Sequence, residues 1–361
     1  MWPAVEEGTN VWHLATGNRM NTPVGPGERG VTTAMAWITK PDDADDGLAF
    51  GTEGGYLCVW KKAKGEANFV EIFCDLLNSS QEGREVTAIA YDTTSGQLAV
   101  IHRSEVMHRF AIDGAMQPIS LKSVRMMKHW PQAVAFGQTS ALGPELWTFG
   151  REDGEIRIHD QEGKMLKTRT TGTVMGHAAV NVRDDVLVVD DVAQGAALYR
   201  MSSTERVRTF EVPCDERRSR NVSFHDGGAT IVIGSDHGNV YLFDRRTGDI
   251  NDVLNIGAVD WVQSIACSDL GGIPVIITGR SGESTGKTEL QVWEKNTVVT
   301  ATSDSYGRNR RPLLEDGRWL LCVGLSVLFI LENILCIPVL RWVRNTTYSY
   351  LGIPSFGAEA A

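Results

Sequence analysis

Three features of the chain predict an all-β fold of repeated four-stranded units. First, short β-like runs end seven times on a hydrophobic–aromatic pair or a close substitute. The pairs are Val11-Trp12, Val59-Trp60, Arg109-Phe110, Ile158-His159, Leu198-Tyr199, Leu242-Phe243 and Val292-Trp293. Their second positions are spaced by 48, 50, 49, 40, 44 and 50 residues, a period at which each unit is one supersecondary element. Second, the runs are entered through Gly-rich turns, as in GTEGGYLCVW, GREDGEIRIHD and GSDHGNVYLFD. Glycine supplies the positive φ of a tight turn, and alternating aliphatics supply a half-buried strand. Third, each period parses into four short strands separated by turns, the pattern of blades in a seven-bladed β-propeller.

The elements follow in order. In the first complete unit, residues 31–37 (VTTAMAW) form the inner strand, 47–52 the second, 56–60 the third and 68–73 the outer one. The same order recurs in VTAIAY, QLAVIH, EVMHRFAI; in QAVAF, ELWTFG, EIRIHD; in NVSF, ATIVIG, NVYLF; and in VQSIAC, PVIITG, ELQVW. The unit holding Gly176-His177 fits less tidily, with HAAVNV, DVLVVDD and AALYR. Six units are complete between residue 31 and about 302. The seventh, around Trp12, has only third and fourth strands, so one blade is expected to be incomplete and the N-terminus to be truncated. An unclosed blade leaves exposed edges, an aggregation liability.

Composition bounds the function. The 361 residues carry a net charge of −10 and 42% hydrophobic content. This is ample for a folded core and argues against a general nucleic-acid binder, which needs a basic face. The six cysteines form no CxxC, and four lie in apolar or strand-like runs, as buried thiols of a reducing compartment do. The N-terminal MWPAVEEGTNVW has no basic n-region or long apolar h-region, so it does not read as a secretory signal.

The chain resembles the WD40-repeat family. Trp60, Phe243-Asp244 and Trp293-Glu294 stand where that family has its Trp-Asp pair, and Gly176-His177 where it has Gly-His. The match is degenerate, with Trp replaced in four of seven units. More closely, residues 11–294 resemble uncharacterised fungal WD40-repeat-like proteins through VWHLATG, AWITKPDD, GHAAVNV and GSDHGNVYLFDR. The resemblance implies structural roles for Trp12, Trp60, Phe110, His159, His177, Tyr199, Phe243, Asp244 and Trp293. It also implies that His177 bonds within its blade to a Ser/Thr, an Asp and the aromatic residue, here Tyr199.

The expected domains are a propeller over 1–302, a polar basic linker over 303–318, a candidate transmembrane helix over 319–340 and a short tail over 341–361. Residues 319–340 (WLLCVGLSVLFILENILCIPVL) number 22, fourteen of them Leu, Ile, Val or Phe, enough to cross a ~30 Å hydrocarbon core. Their apolar contribution, about −4 to −8 kcal/mol, outweighs a central acid at about +2.5 to +3.5. Glu332 and Asn333 weaken the span, and Pro338 would kink or end it. Arg308, Arg310, Arg311 and Arg318 precede the span and Arg341 and Arg344 follow it, which places the propeller in the cytosol. A buried helix and a gene-model artefact are the alternatives.

No motif assigns chemistry. GESTGKT (282–288) has three residues between its glycines where a P-loop needs four, and it continues as a strand. DDADDG with Glu53 approaches a calcium loop, but Ala44 removes a ligand. There is no HExxH, and no Ser stands in a nucleophile elbow: GESTG (282–286) has the G-x-S-x-G spacing, but the chain continues as a strand rather than a helix. No catalytic, cofactor or metal residues are therefore assigned. The expected function is a non-catalytic scaffold that binds protein or peptide partners on its loops, tethered to a membrane. The alternative is a propeller enzyme or small-ligand binder with its site in the central channel.

Overall fold

The computed structural model describes residues 9–295, apart from 15, 24, 26–28, 41–44, 67, 78–82, 141–142, 204, 258–259, 271 and 282–289. These residues form an all-β propeller with no α-helix among them. A short hairpin comes first, of β1 (Trp12–His13) and β2 (Asn18–Arg19). Blade I is β3 (Thr32–Ile38), β4 (Asp46–Thr52), β5 (Tyr56–Lys62) and β6 (Val70–Leu76). Blade II is β7 (Val86–Asp92), β8 (Gln97–His102), β9 (Val106–Ile112) and β10 (Pro118–Arg125). Blade III is β11 (Pro131–Ser140), β12 (Gly143–Gly150), β13 (Glu155–His159) and β14 (Met165–Thr170). Blade IV is β15 (Met175–Asn181), β16 (Val186–Asp191), β17 (Gly195–Arg200) and β18 (Arg206–Glu211). Blade V is β19 (Val222–His225), β20 (Thr230–Ile233), β21 (Asn239–Asp244) and β22 (Ile250–Asn255). Blade VI is β23 (Trp261–Leu270), β24 (Ile273–Ser281) and β25 (Leu290–Glu294).

Within each blade the strands pair antiparallel in chain order. The first strands of successive blades lie side by side, from β3 through β7, β11, β15 and β19 to β23. The blades therefore pack face to face, which explains the apolar runs of the second strands. The interiors of β8 and β16 are buried on both faces, so QLAVIH and VLVVDD read as near-continuous aliphatics. The fourth strands are mostly exposed, as in β10 and β14, and carry charged residues.

Each blade interface has its own core. Leu57 and Val59 of blade I meet Leu98 and Val100 of blade II. Ile101 and Met107 pack on Val134 and Leu146 of blade III. Phe149 and Ile156 pack on Leu187 and Val189 of blade IV. Burying such a side chain stabilises by about 1.5–3 kcal/mol. Close approach at the first interface depends on Gly51, where a Cβ would overlap the Val86 side chain.

Among the described residues the blade count is six, which corrects the expected seven. The run around Trp12 fits the period but makes two strands of two residues each, pairing Trp12 with Arg19 and His13 with Asn18. It builds no sheet core of its own. Instead, Val11 and Met20 lie on Leu48, Phe50, Cys58, Trp60 and Phe69 of blade I. Blade VI shows three strands among the described residues, and its expected fourth, ending near 302, lies outside them. The linker, the candidate span 319–340 and the tail also lie outside. Among the described residues no helix is long and apolar enough to cross a membrane.

Candidate functional site

The most developed polar arrangement lies in blade III, on the propeller face formed by the β-turns between second and third strands and the links between blades. His129 sits in the link from β10 to β11, fully buried. Its Nδ1 is 2.7 Å from Asp153 Oδ2 in the β12–β13 turn, and its Nε2 is 2.9 Å from Thr148 Oγ1 on β12. Thr148 Oγ1 is in turn 3.4 Å from His159 Nε2 at the end of β13. The Thr148 hydroxyl can donate its one proton to His129 Nε2 or to Arg157 O, 3.3 Å away, and accepts from a ring N–H on its other side, while the His129 Nδ1–H donates to Asp153.

Burial pushes the His159 imidazole down to about 4, against a smaller opposing effect of the Gly163 backbone, so the ring is neutral. Burial alone would raise the Asp153 carboxyl, but the bonds from His129 and the Glu155 amide hold it below its ordinary value. Arg157 completes the frame. It pairs with Glu155 at 2.8 Å and donates to the carbonyls of Met127 and Lys128 at 2.9 and 3.2 Å. Lys128 has φ +56°, an uncommon conformation for a non-glycine residue. These bonds hold it there.

The network stiffens the walls of a cleft of about 240 Å³ between blades II and III, lined by Thr87, Arg103, Trp130, Pro131, Gln132, Arg151 and Glu152. Trp130 follows His129, and Arg151 and Glu152 precede Asp153, so the His129–Asp153 bond joins the two segments that blade III contributes to the lining. The Arg151 amide donates to Trp130 O at 3.0 Å, and Thr87 Oγ1 donates to Pro131 O at 2.9 Å. Trp130 nevertheless stays 43% exposed. Arg103 is held at the rim by Glu85, 2.7 Å away. The cleft thus has an aromatic side chain, two arginines and one acid in its lining, on an anchored backbone.

Apart from Trp12, the residues singled out from the sequence lie one or two to a blade. Trp12 is 43% exposed on the hairpin. Trp60 is buried and donates its Nε1 proton to Glu71 Oε2 at 3.3 Å. Phe110 is in the core between blades I and II, Tyr199 in that between III and IV, and Phe243 in that between IV and V. Asp244 caps a turn by accepting from the amides of Arg246 and Thr247. Trp293 is buried, its Nε1 3.4 Å from Thr278 Oγ1. His177 lies on β15, where its ring meets the Val222 backbone and burial lowers its pKa to about 4. Of this set, only His159 joins the blade III network. His129, Thr148, Asp153 and the cleft residues were not singled out, although His129 and Asp153 stand at the blade boundary and turn that the repeat parse defines.

Three groups of side chains come within metal-ligating reach among the described residues: Cys58 with Glu71 and Cys74, His129 with Asp153 and Glu155, and Asp215 with Asp236 and His237. In the second, the protein bonds above already engage the carboxylates. No family profile matches the chain, and no curated protein matches it significantly.

Proposed function

We propose that the chain is a WD40-type propeller acting as a non-catalytic scaffold, which grips protein or peptide partners at the cleft between blades II and III. Propellers commonly serve as platforms of this kind, with a rigid ring presenting specificity on its turns. The His129–Thr148–Asp153 set, with His159 in the aromatic place, supports the WD40 assignment because it matches the bonding pattern the resemblance implies. The observation that carries the binding reading is Trp130, half-exposed on a backbone that a buried network holds still. Rigid aromatic residues beside arginine are the usual energetic centres of interfaces.

An affinity capture comparing the intact chain with a Trp130→Ala, Arg151→Glu variant tests this. Partners of the cleft should drop out of the variant while its circular dichroism stays unchanged. An identical set of partners would refute the site.

We further propose that the propeller is cytosolic and tethered by residues 319–340, in keeping with the arginine excess before that stretch. Full-length protein should then resist alkaline carbonate extraction, and Leu328→Lys with Phe329→Lys should release it. The two lysines add about 5–7 kcal/mol to the cost of insertion. Extraction of the unaltered chain by carbonate would sink the tether and leave the cleft proposal intact.

A further inference from the structure

Blade I contains a dithiol that neither the fold nor the cleft uses. Cys58 on β5 and Cys74 on β6 are direct cross-strand partners, with their sulfurs 3.2 Å apart. The Leu77 amide bonds Gly55 O, so Gly55–Leu77 is a hydrogen-bonded pair of this antiparallel ladder. Such pairs alternate with non-hydrogen-bonded ones, and stepping three residues along each strand makes Cys58–Cys74 non-hydrogen-bonded. Backbones approach most closely at these positions, with Cα atoms about 4.5 Å apart, inside the range a disulfide bridges. Closing the bond needs the sulfurs to approach by about 1 Å, given an S–S length near 2.05 Å.

The surroundings favour a disulfide over a cation. Glu71, the third member of the group, has both carboxylate oxygens engaged by Arg29, at 2.6 and 3.0 Å. The same guanidinium reaches Cys58 Sγ at 3.8 Å, so a positive charge already occupies the place a metal would need. Cys58 is fully buried, whereas Cys74 is partly accessible. That asymmetry gives one entry thiol and one resolving thiol. Burial raises both thiols above their ordinary pKa, and Arg29 opposes the rise. Exchange should therefore quicken as the pH rises above neutrality.

We propose that Cys58 and Cys74 form a reversible redox site that closes to a cross-strand disulfide on reaction with a low-molecular-weight disulfide. The Cys74 thiolate attacks one sulfur of the small disulfide, forming a mixed disulfide and expelling one small thiolate. Cys58 then attacks Cys74 Sγ and expels the second small thiolate, and the proton of each protein thiol ends on a small thiol. Two protein thiols are oxidised and one disulfide is reduced to two thiols, so atoms and electrons balance. The bond staples the outer strand of blade I to its neighbour beneath the hairpin that carries Val11 and Met20.

The test incubates the full-length chain in oxidised and reduced glutathione at graded ratios, followed by acid quench, denaturing alkylation and peptide mapping. The expected product is a Cys58–Cys74 cross-link lacking two hydrogens, lost on adding dithiothreitol, while Cys214 and Cys267 remain alkylated. In Cys58→Ala the resolving thiol is gone, so glutathione should persist on Cys74. Cys58→Ser should give the same trapped adduct, providing a second variant if one fails to fold. Complete alkylation of Cys58 and Cys74 in the oxidised wild-type chain would overturn the proposal. So would glutathione that stays on wild-type Cys74 without transfer, or zinc retained at this pair in a native mass spectrum with no cross-link after oxidation.

Discussion

His129 and Asp153, 24 residues apart in sequence, meet at 2.7 Å between imidazole Nδ1 and carboxylate. This bond ties the link entering blade III to the turn between its second and third strands. Because Thr148 bridges His129 to His159, the four side chains should behave as one energetic unit. Asp153→Asn weakens a charge-assisted bond, and Thr148→Val leaves two buried imidazole nitrogens without their shared partner. Each substitution should destabilise by about 1–3 kcal/mol. The double variant should fall short of additivity by at least about 0.5 kcal/mol, as members of one network do. Urea melts of the four proteins measure this. Strict additivity would show that the residues act separately.

Acid should unfold the propeller earlier than its carboxylates alone would predict. Burial holds His108 and His159 down at about 4, against about 6.5 in an unfolded chain. Between those values the unfolded state binds more protons, so stability is full above pH 6.5 and is lost as pH falls toward 4. Each histidine contributes at most about 3 kcal/mol, from 1.36 kcal/mol per pKa unit. Asp190, buried against Arg220, pulls the other way because burial raises its carboxyl to about 7. Its three bonds from Arg220 limit that effect, and the two histidines outweigh it. Melting temperatures at pH 7.5 and 5 should therefore differ, with less difference in His159→Phe. A flat profile across this range would contradict the buried neutral imidazoles.

Close packing of blades I and II gives a third prediction. A methyl group at Gly51 would overlap Val86 across the interface, and overpacking of this kind costs about 1–3 kcal/mol. Gly51→Ala should lower the urea midpoint, and adding Val86→Ala should recover part of the loss. If the second substitution only deepens the loss, the overlap is not the cause.

The strands were legible because their two-residue alternation and glycine turns are local signals, and runs such as QLAVIH and VLVVDD are buried on both faces. The number of blades was not. Val11-Trp12 carries the same local signal as a true third strand, and only the three-dimensional structure shows it as a short hairpin laid on blade I. The polar network was partly legible. His159 occupies the aromatic place at the end of β13, but its partner His129 is preceded by Lys128 rather than glycine. The left-handed backbone that would normally announce such a link is thus hidden under a lysine held by Arg157. His177 does follow a glycine, yet its ring meets the Val222 backbone. The cleft needed the third dimension, since Arg103, Trp130 and Arg151 come from three separate connections.

Those three residues define the binding prediction. Arg151 is exposed and Trp130 43% exposed, so Arg151→Glu should change stability by no more than about 0.5 kcal/mol, and Trp130→Ala, which gives up its buried half, by about 1–2 kcal/mol without unfolding the chain. Their effect on a captured partner should be larger. Loss of an aromatic anchor of this type costs about 2 kcal/mol or more, roughly a thirtyfold weaker Kd. Arg151→Glu acts differently, since a rim charge mainly sets the association rate and its dependence on salt. It should slow association most at low ionic strength, whereas Trp130→Ala should chiefly hasten dissociation. Surface plasmon resonance of both variants at two salt concentrations separates these effects. Unchanged kinetics in both would move the partner surface away from the blade II–III cleft, while leaving the propeller and its His129 network as described.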